Sequence, residues 1–281
     1  MFGWLSGRGA RRSQVEQTLA SMDDAQWQQA VRAHDFLDGL SAQELDSLRQ
    51  RTAWLLASKQ FTGTQGLQLD ESIKLSIAVQ AALPILNMDP AVYEGWTEIV
   101  LYPGQFMIPQ QDVDEAGVVH EYLMPASGEA WDGGPVILSW EQSGPYGEAG
   151  MNVVIHEFAH KLDLLGGIAD GMPPLHDYAD LSARRWRQVL EQSFDAFEQA
   201  LTAVEQAIPA DVDPESEAAT PWYDTLPLDP YAATNHAEFF AVSSEAFFID
   251  PAPLAHMLPQ WYELLRRYYR QDPLARWQAR R

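Results

Sequence analysis

The 281-residue chain contains no cysteine, which excludes disulfides and thiolate metal ligands and leaves His, Asp and Glu to hold any metal. Basic residues are scarce: 18 Lys and Arg stand against 40 Asp and Glu, a formal charge of −22. That balance repels phosphate backbones, so neither direct nucleic-acid binding nor an anionic membrane surface is expected. No uninterrupted run of about 18 apolar residues occurs, and no membrane-spanning helix is predicted. Residues 1–13 carry Arg8, Arg11 and Arg12 but lack the apolar segment of a secretory signal. A soluble, cytoplasmic protein is the expectation. With 46% hydrophobic and 11% aromatic residues the chain can bury a sizeable core, and a single domain spanning 1–281 is expected.

The first third, to about residue 90, reads as a helical layer. Ser41-Ala-Gln-Glu44 is a capping-box pattern ahead of a periodic run to about Lys59, and a second run spans about Asp70 to Leu83 before Pro84. The pattern then changes. TEIVLYPG (97–104), GVVHEYLM (117–124) and PVILSW (135–140) are short β-branched and aromatic runs punctuated by Gly, Pro and Asp, and predict a small sheet. Helical patterning resumes near Met151, after Gly147 and Gly150, and stops near Gly166-Gly167. Further helices are expected at about 181–207, 236–248 and 252–269, with an irregular acidic loop over 207–230. No internal repeat is present. The 91–281 portion is expected to combine the sheet with the active-site helices.

The stretch VVIHEFAHKLD (153–163) has two histidines four residues apart with a glutamate directly after the first. At about 100° per residue, His156, His160 and Asp163 share one arc while Val154, Phe158, Leu162 and Leu165 fall on the opposite face. Two imidazoles so placed can reach one tetrahedral cation, with Glu157 beside it rather than bound to it. This suits metal-assisted peptide hydrolysis. Zinc polarises a scissile carbonyl and acidifies water, and the carboxylate takes the water's proton and later passes it to the leaving amine. Two core histidines on a buried helix would need separate hydrogen-bonding solutions and would leave the carboxylate unexplained.

A catalytic zinc site commonly has three protein ligands and one open position. The metzincin continuation fails, because Asp163 and Gly166 stand where a glycine and a histidine are required. Candidates for the third ligand are His176, Asp177 and Asp180, or His236, Glu238 and Glu245. Glu238 leads, because Glu238, Ala241, Val242 and Glu245 form a helix face with small residues that lets a second helix approach; His176 and Asp180 stand behind it. A competing role for Glu238 is that of reciprocal cap to Asn235. Asp163 either accepts the distal N–H of a ligand imidazole or is a solvated carboxylate near a helix end. His34, His120, His236 and His256 have no partner spacing and are expected to be structural or on the surface.

VVIHEFAHKLD, DPYAAT, AEFFAVSSEAFF, EIVLYPGQFMIP and the terminal YYRQDPLAR together resemble the Mlc titration factor A family of bacterial zinc metallopeptidases, over about Leu55 to Ala275. The resemblance implies an α+β, zincin-like fold similar to the protease domain of anthrax lethal factor, with an HExxH helix, a small mixed or antiparallel sheet and the N-terminal helical layer. It implies one Zn²⁺ per chain on His156, His160 and Glu238, and Glu157 as the catalytic carboxylate. The family's tyrosine seven residues before the third ligand corresponds to Tyr231, where a phenol can donate to a developing oxyanion.

Two functions follow. The first is a peptidase, aminopeptidase-like by resemblance, in which acidic residues such as Glu215, Glu217, Asp224 and Asp229 hold a free amino terminus. One strand, with PVILSW the candidate, pairs with substrate backbone. The second is a regulator that binds the transcriptional repressor Mlc, with the metal site structural. The acidic chain is electrostatically suited to a basic DNA-binding partner. Glu157→Gln separates the two.

Overall fold

Short polar side chains set the helix starts. Ser41, Asp70, Asn152, Ser182 and Asn235 each accept a backbone N–H from the first turn of the helix that follows, replacing acceptors the helix cannot supply itself. The computed structural model describes residues 3–113, 119–144 and 151–279, and side chains within 12–107, 126–144 and 151–279. Gly147, Gly150 and the side chains of Arg8, Arg11 and His120 lie outside the described residues.

The N-terminal third holds α1 (Gly3–Ser21), α2 (Asp24–Arg32), α3 (Ala42–Ser58) and α4 (Glu71–Ala82). The predicted capping box forms in full: Ser41 and Glu44 each bond the other's backbone N–H. This layer is not purely helical. β1 (Gln60–Gly63) follows α3 directly and pairs in parallel with β2 (Glu98–Tyr102), with α4 as the crossover. α4 is buried on every side from Leu75 to Ala82, with Ser76 and Gln80 the polar residues within that stretch.

β3 (Phe106–Val113) and β4 (Val119–Ala126) form a separate antiparallel pair, and β5 (Gly128–Ala130) leads into β6 (Val136–Ser139). The four-stranded sheet runs β1-β2-β6-β5, parallel except for the antiparallel β5–β6 pair. The architecture is therefore mostly helical with a small mixed sheet. PVILSW contains β6, which has β2 on one side and β5 on the other, so it has no edge to offer a substrate. Among the described residues β1 and β5 are the outer strands, and β5 is the one that packs on α6. β1, β3 and β5 were not anticipated: QFTG and GEA carry no β-branched apolar run, and β3 contains Pro109.

α5 (Trp140–Ser143) precedes α6 (Val153–Asp163), which carries HEFAH against β5, β6, α4 and α9. The expected division of α6 into polar and apolar arcs is not a division between solvent and core, because every residue from Val154 to Asp163 is buried. Leu165 departs from the apolar face and is 44% exposed, since a tight turn replaces the α-helix after Asp163 and ends at Gly167, φ 95°. α7 (Ala183–Ala207) is followed by the acidic segment, which is irregular except for a turn at Glu217–Ala219 and α8 (Thr220–Tyr223).

The expected helix over 252–269 is two helices. After α9 (His236–Ile249) come α10 (Pro251–Met257) and α11 (Pro259–Tyr269), with the break at Leu258-Pro259; α12 (Pro273–Ala279) follows beyond the predicted end. Edge-on aromatic contacts tie α7, α9 and α11 together: Trp186 meets Phe240, Trp261 and Tyr268 with centroids 5.1 to 6.2 Å apart. Buried apolar residues from Trp27 to Tyr269 form one continuous cluster. Among the described residues no helix is long and apolar enough to cross a membrane.

Candidate metal centre

α6 and α9 pack against each other through the two segments that carry the candidate ligands. Ala237, Ala241 and Val242 are small enough to let the helices close. His156 Nε2 lies 3.1 Å from His160 Nε2 and 3.1 Å from Glu238 Oε2, and His160 Nε2 lies 3.2 Å from the same oxygen. Among the described residues these three form the one group of His, Asp or Glu able to hold a metal ion. A tetrahedral zinc with bonds of about 2.0–2.1 Å has ligand–ligand edges of roughly 3.3–3.4 Å, close to this triangle. The donor set thus fits a zinc ion in both chemistry and size.

Glu238 does not cap its helix. Asn235 Oδ1 accepts from the N–H groups of Ala237 and Glu238, at 2.9 and 3.0 Å, while the Glu238 carboxylate points across to the histidines. His176 and Asp180, the other candidates for third ligand, lie elsewhere. His176 is exposed beside Asp177, and Asp180 sits 3.8 Å from Arg267.

Glu245, two turns beyond Glu238, has a defined task. Its Oε1 is 2.7 Å from His156 Nδ1, which leaves Nε2 facing the triangle, and its Oε2 accepts the Asn152 N–H at 2.6 Å. Asn152 Nδ2 donates to Gln80 Oε1 at 2.7 Å, and Gln80 Nε2 donates to the Ser76 and Ser143 carbonyls. This buried chain fixes the start of α6 to α4. Gln80 was not anticipated, although a glutamine in an otherwise apolar helix was a legible signal; Asn152 was readable as a cap before an apolar run.

Asp163 takes neither role expected of it. It is fully buried, its Oδ2 accepts the Gly171 N–H at 2.7 Å, and its Oδ1 has no hydrogen-bond partner among the described residues. Its work is to turn the chain after α6. Gly171 suits that bend, with φ 74° and its carbonyl accepting Trp186 Nε1 at 2.8 Å.

Burial and charge compete in the cluster. Burial disfavours a charged His156, but hydrogen bonds to Glu238 and Glu245 and the Glu157 charge outweigh it, so its pKa lies well above the ordinary value. Glu238 is held well below the usual carboxylate range: burial opposes ionisation, and the bonds from His156 and His160 overcome it. Glu157, 4% exposed, is pushed up to about 7 mainly by burial, with the two histidines pulling it back. Its Oε2 has no hydrogen-bond partner among the described residues.

Tyr231 stands in the turn Pro230–Ala233, whose first N–H is capped by Asp229 Oδ1 at 2.8 Å. Its ring centroid is 6.2 Å from that of His156. Although 53% exposed, the phenol is pushed up to about 12 by partial burial and by Glu238 and Glu157, which keeps it protonated. Of the acidic residues proposed to hold an amino terminus, Asp229 makes this cap, whereas Glu215, Glu217 and Asp224 are exposed along the segment that packs on α7. His34 is buried beside Phe36, and His236 packs edge-on against Phe194.

Comparison with known proteins identifies the family. The sequence profile of the glucose-regulated metallo-peptidase M90 family matches residues 8–270. Mlc titration factor A of Serratia proteamaculans is 36% identical over 256 residues, covering 90% of each chain. The protein of the same name from Pectobacterium atrosepticum is 34% identical over 254 residues, covering 89% of this chain and 87% of its own; that of Yersinia pestis is also 34% identical, covering 90% and 86%. A profile match over residues 8–270, with relatives 34–36% identical over about nine-tenths of the chain, places this chain in the glucose-regulated metallo-peptidase M90 family.

Proposed function

We propose that the chain is a zinc-dependent peptidase of aminopeptidase type, a single zincin-like domain acting in the cytoplasm, with one zinc held by His156, His160 and Glu238. The observation that carries this reading is the triangle of donor atoms 3.1, 3.1 and 3.2 Å apart. When bound, zinc supplies Lewis-acid polarisation of the scissile carbonyl and acidification of water. Glu157, one residue along the helix from His156, takes the proton from the attacking water and delivers it to the departing amine. Tyr231 donates its phenolic hydrogen to the oxygen on which charge develops, an interaction stronger in the transition state than in the ground state. Glu245 accepts the Nδ1 proton of His156, so that Nε2 is the nitrogen left to give up its proton on binding the metal. The outer edge of β5 accepts the substrate backbone as an added strand, with Gly128 packed on Glu157 marking where that strand meets the site.

The test is elemental analysis of wild type, His156→Ala, Glu238→Ala, Glu157→Gln and Tyr231→Phe, with hydrolysis of a chromogenic alanine substrate in parallel. One zinc in wild type, lost together with activity in the first two variants, is expected. Glu157→Gln and Tyr231→Phe should keep the metal while kcat falls about 10²-fold or more. Full zinc and activity in Glu238→Ala would sink the ligand assignment.

A second reading is favoured by the name shared by the relatives: the chain binds an Mlc-type repressor, and through it influences sugar uptake. Glu157→Gln that has lost hydrolysis yet still retains purified repressor on a column would show the two activities to be separable. Wild type that neither holds metal nor hydrolyses peptides, but binds the repressor, would leave this second function alone.

A further inference from the structure

The hairpin that carries β5 is fastened to α6 at two places one helical turn apart. At Gly128 the strand passes so close that a Cβ there would lie 2.3 Å from Glu157 Oε1 and 2.6 Å from both Glu157 Cγ and Val153 Cγ2. At the other end Lys161 reaches from α6 to the turn between the strands. Its Nζ donates to the Trp131 carbonyl and, at 2.8 Å, to the Gly134 carbonyl. The turn is closed by the Gly134 N–H on the Trp131 carbonyl at 3.1 Å, with Gly133 left-handed at φ 59°.

Lys161 is only 3% exposed. Burying an ammonium is costly unless it is bonded, and here two carbonyls, an aromatic face and the nearby carboxylates of Asp132 and Glu157 offset part of that cost. The face is Trp96, whose ring centroid lies 4.9 Å from Lys161 Nζ and 3.7 Å from Lys59 Nζ. Although Lys161 follows His160 in the chain, its Nζ bonds to the hairpin and not to the metal ligands. The cation therefore ties both sides of one turn to the helix that carries the site.

We propose that Lys161 is a positioning residue for peptide substrate, clamping the β5–β6 hairpin onto α6 so that the open edge of β5 keeps a fixed register beside the metal ligands. An extended peptide that adds to this edge depends on several backbone hydrogen bonds in register. A single-residue amide reaches the ligand triangle without them. Loss of the clamp thus penalises the longer substrate. The inference rests on the peptidase reading and on β5 as the edge the substrate uses.

Lys161→Met keeps the apolar stem and removes the donors; Lys161→Arg keeps donors, and Lys161→Gln serves if the methionine variant does not fold. Three quantities are measured on full-length, zinc-loaded protein: amide hydrogen exchange over residues 128–138, zinc content, and kcat and KM for a tetrapeptide amide and a chromogenic alanine amide. Lys161→Met should keep its zinc, with exchange in the hairpin on the order of tenfold faster and exchange in α7 and α9 unchanged. KM for the tetrapeptide should rise about tenfold with kcat within about threefold, while the alanine amide changes less than about threefold. Lys161→Arg should recover part of the tetrapeptide KM. Unchanged exchange and KM would overturn the proposal, as would an equal loss on both substrates. If wild type hydrolyses neither substrate, the peptidase reading fails and the substrate role of Lys161 fails with it, whereas accelerated hairpin exchange in Lys161→Met would still establish the clamp as a contact.

Discussion

Two buried histidines, one in the N-terminal layer and one in the candidate metal centre, respond to burial in opposite ways. His34 is 6% exposed, stacks at an angle on Phe36 with centroids 5.2 Å apart, and has no hydrogen-bond partner for Nε2 among the described residues. Burial alone decides its state, and its pKa falls to about 4 with only partial opposition from Asp35. His156 is 9% exposed, yet Glu238 and Glu245 touch its two ring nitrogens and its pKa is held above the ordinary value. Burial makes a histidine neutral; buried carboxylates around it make a place for positive charge. Glu157 falls between these cases, pushed up by burial and pulled back by two imidazoles.

The comparison can be broken at three points, in order of expected effect. The largest is His34. Its folded pKa of about 4 lies below the unfolded value near 6.5, so the unfolded chain binds the extra proton between those pH values and stability falls as pH drops from about 6.5 to 4. About 3 kcal/mol of the acid loss should come from this one residue. In His34→Phe that part of the acid sensitivity should vanish, so denaturant melts at pH 7 and pH 4 should show the gap between variant and wild type changing by about 3 kcal/mol. A constant gap would mean that His34 is protonated as easily folded as unfolded.

Gly128→Ala tests what packing contributes at Glu157. A methyl group 2.3 Å from Oε1 must displace the carboxylate, and Cγ of Glu157 and Val153 crowd it as well. With zinc content and KM held, kcat should fall about 10²-fold, as misplacement of a reacting group by about 1 Å does. Wild-type kcat would show that the side chain moves aside without loss.

Glu245→Gln sharpens the contrast from the charged side by making His156 more like His34. Zinc affinity measured by competition with a chelator should weaken by about 10- to 100-fold, with the fold unchanged in circular dichroism. Affinity equal to wild type would mean that the hydrogen bond at Nδ1 matters and the charge does not.

Legibility varied with the range of the interactions involved. The capping box at Ser41, the helix that carries the two α6 histidines and the cap at Asn235 are signals carried within a few residues, and these local structures form as read. β1 and β5 were hidden because QFTG and GEA lack the β-branched, apolar run that marks β6, itself only four residues long. The break at Leu258-Pro259 was missed because Pro at the first turn of a new helix looks, in sequence, like a tolerated interruption of an old one. At the site, the bond between Glu245 and His156 spans 89 positions, and no spacing rule reaches that far.

By itself the sequence determined which groups could bind a metal: with no cysteine, a histidine pair at helical spacing and a carboxylate between them, the donor chemistry followed from helix geometry alone. Its side chains offered Glu238, His176 or Asp180 as competitors for the third place, and only the packing of α9 on α6 brings Glu238 to 3.1 Å from His156 while leaving the other two on the surface. Tertiary structure also decided that the polar arc of α6 is buried, that Asp163 holds a turn instead of a ring, and that β5 rather than β6 has the free edge. Each of these depends on contacts between segments distant in the chain. Local propensity fixes where a side chain sits on its own helix or strand, whereas burial, charge and partner are properties of what packs against it.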